Sequence, residues 1–324
     1  MSTGHSPVLV VLAAGMAKRY GGCKPLAPMG LHGEAVIDLT AGEALAAGFD
    51  QVVLVLGPAT GPAIEYHVRR RWPSVIATQT VYQPVPLGTA HAVLCARPAV
   101  GDRPFAVVNG DDVYGAPALG LLAAHLADTA TPWRPTDHAL VSFPLADSVV
   151  GSAPVTRGTI TVTADGWLVG IDERRQVHRQ PDGTFAADDG HEPAVLEART
   201  AVSVNLWGFR PGIWPLLADA VLACCPELAA DVTGATLHVE DDTEVLLPEV
   251  LGAAVAGGHE VAPSHLPGAA KAAVDDKGHR VRVLPGSGRC VGVTHASDLP
   301  LARDVLATMV ARGERPAKCW PSAA

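Results

Sequence analysis

The sequence has no C-x-x-C pair. Its six cysteines, Cys23, Cys95, Cys224, Cys225, Cys290 and Cys319, are scattered, and the adjacent Cys224 and Cys225 present poor geometry for a bridge to each other. A disulfide scaffold is excluded, and the thiols read as reduced, which predicts a cytoplasmic chain. None of the 13 histidines stands in an H-x-x-x-H or Cys/His cluster, so no zinc site is expected. His91, His138 and His178 read as surface or helix-cap residues. There is no G-x-S-x-G elbow and no Ser/His/Asp order for acyl chemistry. Long apolar runs are also missing. The stretch from Val8 to Ala14 is too short to span a bilayer and lacks a basic leader and a small-residue cleavage site, so no membrane partner is predicted. Positive charge is in deficit as well: 24 Lys and Arg against 33 Asp and Glu give −9. No broad cationic surface is available to displace counterions from nucleic-acid phosphates, and no nucleic-acid partner is predicted.

What remains is a globular composition, 48% hydrophobic and 18% charged over 324 residues, long enough to bury a substantial core. Val8 to Leu12 and Val52 to Leu56 are continuous aliphatic runs of the kind covered on both faces in a parallel sheet. Between and after them the spacing predicts helices from about Glu34 to Gly48 and from Pro62 to Arg71, then an extended run from Val75 to Tyr82. Helix is expected over Ala90 to Ala96, strand over Phe105 to Val108 and helix over Pro117 to Leu126. This βαβ rhythm predicts an open, doubly wound sheet with its ligands beyond the carboxyl ends of the strands. From Gly158 the pattern changes to a β-hairpin, Thr159 to Thr163 and Trp167 to Ile171 around Asp165-Gly166. The polar stretch from Arg174 to Glu197 reads as an extended loop or ragged hairpin, suited to a lid. A strand over Val202 to Phe209, helices over Pro211 to Ala223 and Glu244 to Ala256, a strand over Val281 to Leu284 and a helix over Leu299 to Ala311 complete the reading. No repeat or composition shift divides the chain, so residues 1–324 are expected to form a single unit.

Chemistry concentrates after the first strand. Leu12 to Pro25 reads LAAGMAKRYGGCKP. Small residues at Ala13, Ala14, Gly15 and Ala17 let the backbone approach a ligand and turn its N–H groups toward an anion, and Arg19 and Lys24 add cations. This loop resembles the L-A-A-G-x-G-x-R and G-x-x-K-P/Q signature of sugar-1-phosphate nucleotidyltransferases. Within them it is similar to a branch of nucleoside-diphosphate-sugar pyrophosphorylases whose loop reads much like LAAGMGSRYGGLKQ. Ala17 departs from the family's second glycine, Lys18 from a small polar residue, and Cys23 from an aliphatic one that packs.

Other segments carry the resemblance onward. YQPVPLGTAHAV, Tyr82 to Val93, is similar to the base-reading segment and implies nucleotide contacts from Gln83, Gly88 and Thr89 beside those of Leu12, Ala13, Ala14, Gly15, Met16 and Ala17. The pattern is nearest to users of UTP or dTTP. VNGDDVYG, Val108 to Gly115, resembles N-A-D-D-F-Y-G. Two carboxylates on a turn at a strand's carboxyl end suit Mg²⁺, which takes oxygen ligands, with Asp111 the first ligand and Asp112 the second choice. Gly158 and Glu173-Arg174 align with the family's glycine and Glu-Lys element, which implies that Glu173 binds sugar hydroxyls and Arg174 the sugar phosphate. VSVNLWGF, Val202 to Phe209, offers Asn205 to the sugar ring. The wider superfamily carries a second metal-binding aspartate on a late strand, where CVGVTHASD here places Gly292. Either another acid completes the site, such as Asp112, Glu240, Asp241 or Glu244, or one carboxylate suffices with phosphates and water.

The resemblance implies a Rossmann-like, doubly wound mixed α/β sheet, the GT-A-like nucleotidyltransferase fold, with an inserted β-hairpin layer. Residues 1–150 would form its nucleotide-binding half, and residues 151–324 the sugar-phosphate-binding half with the C-terminal helices. It implies an enzyme in which Arg19, Lys24 and Asp111 are catalytic, Mg²⁺ is the cofactor, and an NTP and a sugar 1-phosphate give an NDP-sugar and pyrophosphate. A homo-oligomer is compatible with this reading. Three alternatives stand beside it: a cyclitol-phosphate nucleotidyltransferase of a natural-product pathway, a non-catalytic nucleotide-sugar sensor, and a molybdenum-cofactor-type cytidylyltransferase with a similar first loop. Chain length and VSVNLWGF argue against the last.

Overall fold

Along the first strand successive side chains point to opposite faces, and that alternation feeds two cores. The computed structural model describes residues 6–15, 20–229, 244–256, 278–293 and 295–320. In β1 (Val8–Ala13), Leu9, Val11 and Ala13 enter one apolar cluster while Val8 and Val10 enter another. A strand buried on both sides needs helices on both sides, and the chain supplies them. On the first face lie α1 (Val36–Ala46), α2 (Gly61–Arg71) and, farther on, α5 (Ala116–Ala127), contributing Ile37, Ile64 and Leu119 among others. The second face is covered by α3 (Gly88–Cys95), followed by the single turn α4 (Arg97–Val100), and later by α7 (Ile213–Cys224) and α8 (Leu247–Ala256).

Parallel pairing joins β3 (Ala77–Tyr82), β2 (Gln51–Leu56), β1 and β4 (Phe105–Asn109) in that spatial order. After β4 come the short β5 (Asp112–Val113) and, beyond α5, β6 (Asp137–Pro144) and the turn α6 (Leu145–Ser148). The second half adds β7 (Val155–Val162), β8 (Leu168–Arg179), β9 (Phe185–Ala187), β10 (Val195–Leu196) and β11 (Ala201–Phe209). Last are β12 (Arg280–Pro285), β13 (Val291–Gly292) and α9 (Leu299–Ala311). The sheet continues from β4 antiparallel to β11, and from there through β7, β8, β9 and β10; β6 pairs with β11 and β12. The architecture is therefore a mixed α/β sheet, doubly wound in its first half, with a hairpin layer inserted in its second.

The stretch from Arg174 to Glu197 is more regular than an extended loop: β8 runs on to Arg179, turns through Gly183 and pairs with β9, which pairs with β10. Buried Val177, Phe185, Ala187 and Leu196 hold this ribbon down, which argues against a lid. Strand β6 has no counterpart in the sequence reading; its ends, Asp137 and Pro144, look like loop residues. Asp137 is in fact 1% exposed, paired with Arg134 and Arg280. His91 and His138 are likewise buried, not surface residues.

Candidate active site

Strand β11 changes partners halfway along, and the change opens a cleft. Strand β6 pairs with it at both ends, so β7 and β4 share its other edge: β7 at Val202 and Ser203, β4 from Trp207 to Phe209. Between them the register is irregular and Asn205 adopts a left-handed φ of 62°, a conformation uncommon outside glycine that asparagine takes up more readily than most residues. A cavity of about 260 Å³ lies at this discontinuity, and one of about 220 Å³ adjoins it. Each is smaller than ordinary small-molecule sites of about 300–1,000 Å³. Both are lined by Asn109, Asp112, Thr156 and Arg157, so they form one continuous cleft.

One wall is the corner at the carboxyl end of β4. Lys24 Nζ lies 3.3 Å from Asp111 Oδ2, bringing two sequence-predicted residues 87 positions apart onto the same cavity. Asn109 Nδ2 donates to Asp112 Oδ2 at 3.0 Å. The corner is braced from beneath by α1: Thr40 Oγ1 donates to the Asp112 carbonyl at 3.0 Å, and the Gly115 N–H donates to Glu43 Oε2 at 3.0 Å. Tyr114 closes it from behind, its hydroxyl accepting from Asn109 N–H at 3.0 Å and donating to Val204 O at 2.9 Å. That one hydroxyl ties β4 to the irregular part of β11.

Burial, and then the neighbouring Asp111 charge, push the Asp112 carboxyl up to about 6, against the opposing pull of Asn109, Arg157 and Lys24. Crowded carboxylates of this kind offer oxygen donors to a divalent cation, which would relieve their repulsion, so the corner fits Mg²⁺ chemically. Among the described residues no group of three or more His, Cys, Asp or Glu is gathered to hold a metal. The late-strand position adds no acid to the corner. Gly292 in β13 pairs with Asp112 in β5, and a Cβ at Gly292 would lie 2.0 Å from Asp112 Oδ1. A side chain at Gly292 would therefore collide with the Asp112 carboxylate as it stands, and glycine there leaves that carboxylate its room. Glu244 is exposed; Glu240 and Asp241 lie outside the described residues.

The other wall is the β7–β8 ribbon. Gly158 and Glu173 are ladder partners and line the cleft with Asn205. A Cβ at Gly158 would meet Ile171 Cγ2 at 2.9 Å, which accounts for the glycine. Arg174 departs from the expectation. Its guanidinium grips Asp189 through two bonds of 2.8 and 3.1 Å and donates to the carbonyls of His191 and Pro193. Both side chains are 3% exposed. The charge is already neutralised inside the ribbon, and Arg174 lines neither part of the cleft. The cation that does line both parts is its ladder partner, Arg157, which the sequence reading passed over. The signal was its position immediately before Gly158.

The nucleotide-binding candidates sit at strand ends and in loops. Leu12 and Ala13 end β1, followed by Ala14 and Gly15; Met16, Ala17 and Arg19 lie outside the described residues. Gln83 is 6% exposed, and its amide nitrogen donates to Gly88 O at 3.0 Å. Thr89 Oγ1 accepts from Leu247 N–H at 2.9 Å. Gly88, at φ 86°, packs so closely on Val245 that a Cβ would come within 2.7 Å of its backbone. These residues fix the shape of the loop between β3 and α3. Cys23 is half-buried and packs against the core.

The profile of the MobA-like NTP transferase domain matches residues 9–231. The UTP–glucose-1-phosphate uridylyltransferase of Salmonella typhimurium is 30% identical over 217 residues, 58% of this chain and 71% of the relative. The chain spans about half the length of other curated relatives bearing that name. Two solved structures share the fold, each at 14% identity and a TM-score of 0.57 over 93% of this chain. One is a UDP-glucose pyrophosphorylase complexed with UDP-glucose, covered over 98% of its length; the other is the inositol-1-phosphate CTP transferase from T. maritima, covered over 96%.

Proposed function

Because the chain belongs to the MobA-like NTP transferase domain family, we propose that it joins an NTP to a sugar 1-phosphate, giving an NDP-sugar and pyrophosphate. The reading rests above all on one observation: the Lys24–Asp111 pair opens into a cleft that continues past Arg157 to Glu173 and Asn205. A polyol fits the wall at Glu173 and Asn205, and a polyphosphate chain fits the acidic corner with Mg²⁺ between the two.

The acceptor's phosphate oxygen attacks the α-phosphorus of the nucleotide; a new P–O bond forms as the bond to pyrophosphate breaks. That oxygen is already anionic, so neither a general base nor a protein nucleophile is required. The requirement is in-line alignment and relief of repulsion between two anions. Lys24 and, in the first loop, Arg19 supply positive charge on the nucleotide side. Asp111 and Asp112 would hold Mg²⁺, which when bound neutralises phosphate charge. Glu173 and Asn205 orient sugar hydroxyls.

The test is pyrophosphate release from a matrix of NTPs, with Mg²⁺, against glucose 1-phosphate, other sugar 1-phosphates and inositol 1-phosphate. Release from a sugar 1-phosphate is expected. Release confined to inositol 1-phosphate replaces the acceptor class, and nucleotide binding without release from any pair overturns the enzymatic reading in favour of a sensor.

A further inference from the structure

The cleft is lined by two cations, of which, among the described residues, only Lys24 is held in an ion pair. The charged lining consists of the acids Asp111, Asp112, Glu173, Glu249 and Asp298 against the cations Lys24 and Arg157. Lys24 is engaged with Asp111. Glu173 is paired with Arg175 at 2.8 Å, so the cation of the lining that faces a phosphate entering beside Asp112 is Arg157.

Arg157 is built to receive one. Its Nε donates to Ser148 Oγ at 3.1 Å and its Nη1 to Thr156 O at 2.7 Å, while Nη2 donates to Ser148 O. These bonds go to neutral oxygens, so the guanidinium is held in place; among the described residues no carboxylate forms an ion pair with it, and Asp112 feels its charge only across the cleft. Donors remain on its fork for a bidentate contact with an anion. Arg174, directly opposite in the ladder, has the reverse arrangement, its charge being matched by Asp189. The backbone around Arg157 is also constrained: Gln176 and Asn205 line the same cleft at left-handed φ values of 53° and 62°. Non-glycine residues in that region gather where surrounding structure overrides local preference, as binding sites do.

We propose that Arg157, where the two parts of the cleft meet, binds the phosphate of the acceptor and so sets the attacking oxygen in line. The assignment rests on the nucleotidyl-transfer reading for its mechanism, and its test separates the two. Glucose 1-phosphate, inositol 1-phosphate and inorganic phosphate are titrated into the wild type and R157Q by calorimetry, without nucleotide. Wild-type binding of at least one, weakened about 10- to 100-fold in R157Q and partly restored in R157K, is expected from loss of a charged hydrogen-bonding group. Equal binding by wild type and R157Q, or no binding of any probe by wild type, overturns the assignment. In turnover, R157Q should raise KM for the acceptor while KM for the NTP stays within about twofold, taking uniform ground-state binding as the lost quantity; equal rises in both overturn it. R174Q serves as the control, with a lower melting temperature and an unchanged acceptor KM. If R157Q does not fold, the same comparisons are made with R157K. A wild type that binds glucose 1-phosphate through Arg157 yet releases no pyrophosphate refutes the proposed reaction while leaving the contact standing.

Discussion

The wall of the cleft at Asp111 and Asp112 and the wall at Arg157 and Glu173 are stabilised in opposite ways. At the corner, rigidity comes from beneath, through Thr40, Glu43 and Tyr114, and the carboxylates themselves are left crowded. In the ribbon, rigidity comes from a charge pair that is consumed internally, Arg174 with Asp189. The difference teaches how to read a charged residue near a site. One whose charge is matched and sealed acts on stability; one held by neutral oxygens or opposed by a like charge is left to act on a ligand.

The largest effect expected from breaking this contrast is on the ribbon. Asp189→Ala strands a buried guanidinium, and removal of one partner of such a pair costs about 3–5 kcal/mol. Urea unfolding should show that loss, while kcat/KM of the folded enzyme, assayed cold, stays near wild type. Replacing both partners by apolar residues of similar size should recover most of the stability. A rate loss in Asp189→Ala that outlasts correction for unfolded protein would erase the distinction between the walls.

At the corner the signs reverse. Lys24→Ala and Asp111→Ala should each slow pyrophosphate release by about 10²–10³-fold, as removal of a single preorganised charge or donor does, about 2.7–4 kcal/mol in the barrier. Their pair is partly exposed, with side chains 15% and 35% accessible, so the unfolding midpoint should move little. Near-normal turnover in either variant would remove the corner from the mechanism.

The link between the walls is weaker. Tyr114→Phe leaves the Asn109 N–H and the Val204 carbonyl without their shared partner, at a cost of about 1–3 kcal/mol. If the two walls behave as one unit, this substitution should lower stability and raise KM for the acceptor together, a combination that neither wall alone produces.

Much of this was legible in the chain because periodicity and turn chemistry are local. Val8 to Leu12, Val52 to Leu56 and the Asp165-Gly166 hairpin follow from side-chain alternation and a residue that tolerates positive φ. The family resemblance likewise pointed to Lys24 and Asp111 as parts of one site, and to Gly158 and Glu173, which the structure shows to be ladder partners. What escaped depends on distant partners. Strand β6 begins with Asp137, which is buried with Arg134 three residues away and Arg280, 143 positions away, both paired to it. The roles of Arg174 and Arg157 are decided by Asp189 and Ser148, through loop closures that no spacing rule encodes. The exclusion of a side chain at Gly292 requires the pairing of β13 with β5.

A final perturbation acts through β6, the strand that pairs along β11 on the edge opposite β4 and β7. His138 in β6 is 1% exposed, and its Nδ1 lies 3.4 Å from the Arg210 N–H. A backbone N–H only donates, so Nδ1 is the acceptor and Nε2 carries the proton, donating to His279 Nδ1 at 3.0 Å. A second proton would have to face the Arg210 N–H, in a setting where burial, then His279 and Arg210, hold His138 down at about 3 despite Asp137. The unfolded chain, with a histidine near 6.5, takes that proton first. His138 therefore contributes full stability above about pH 6.5, lost at up to about 1.4 kcal/mol per pH unit as pH falls toward 3. Glu43, lifted to about 7 by burial, works in the opposite sense between 7 and 4.5 because its folded form takes the proton first. Asp112, lifted to about 6, does the same over its own range. The His138 contribution is thus read as a difference: wild type minus His138→Gln, by urea unfolding from pH 7 to 4. The difference should shrink steadily below pH 6.5, and a difference that stays constant would show that His138 carries no proton-linked stability.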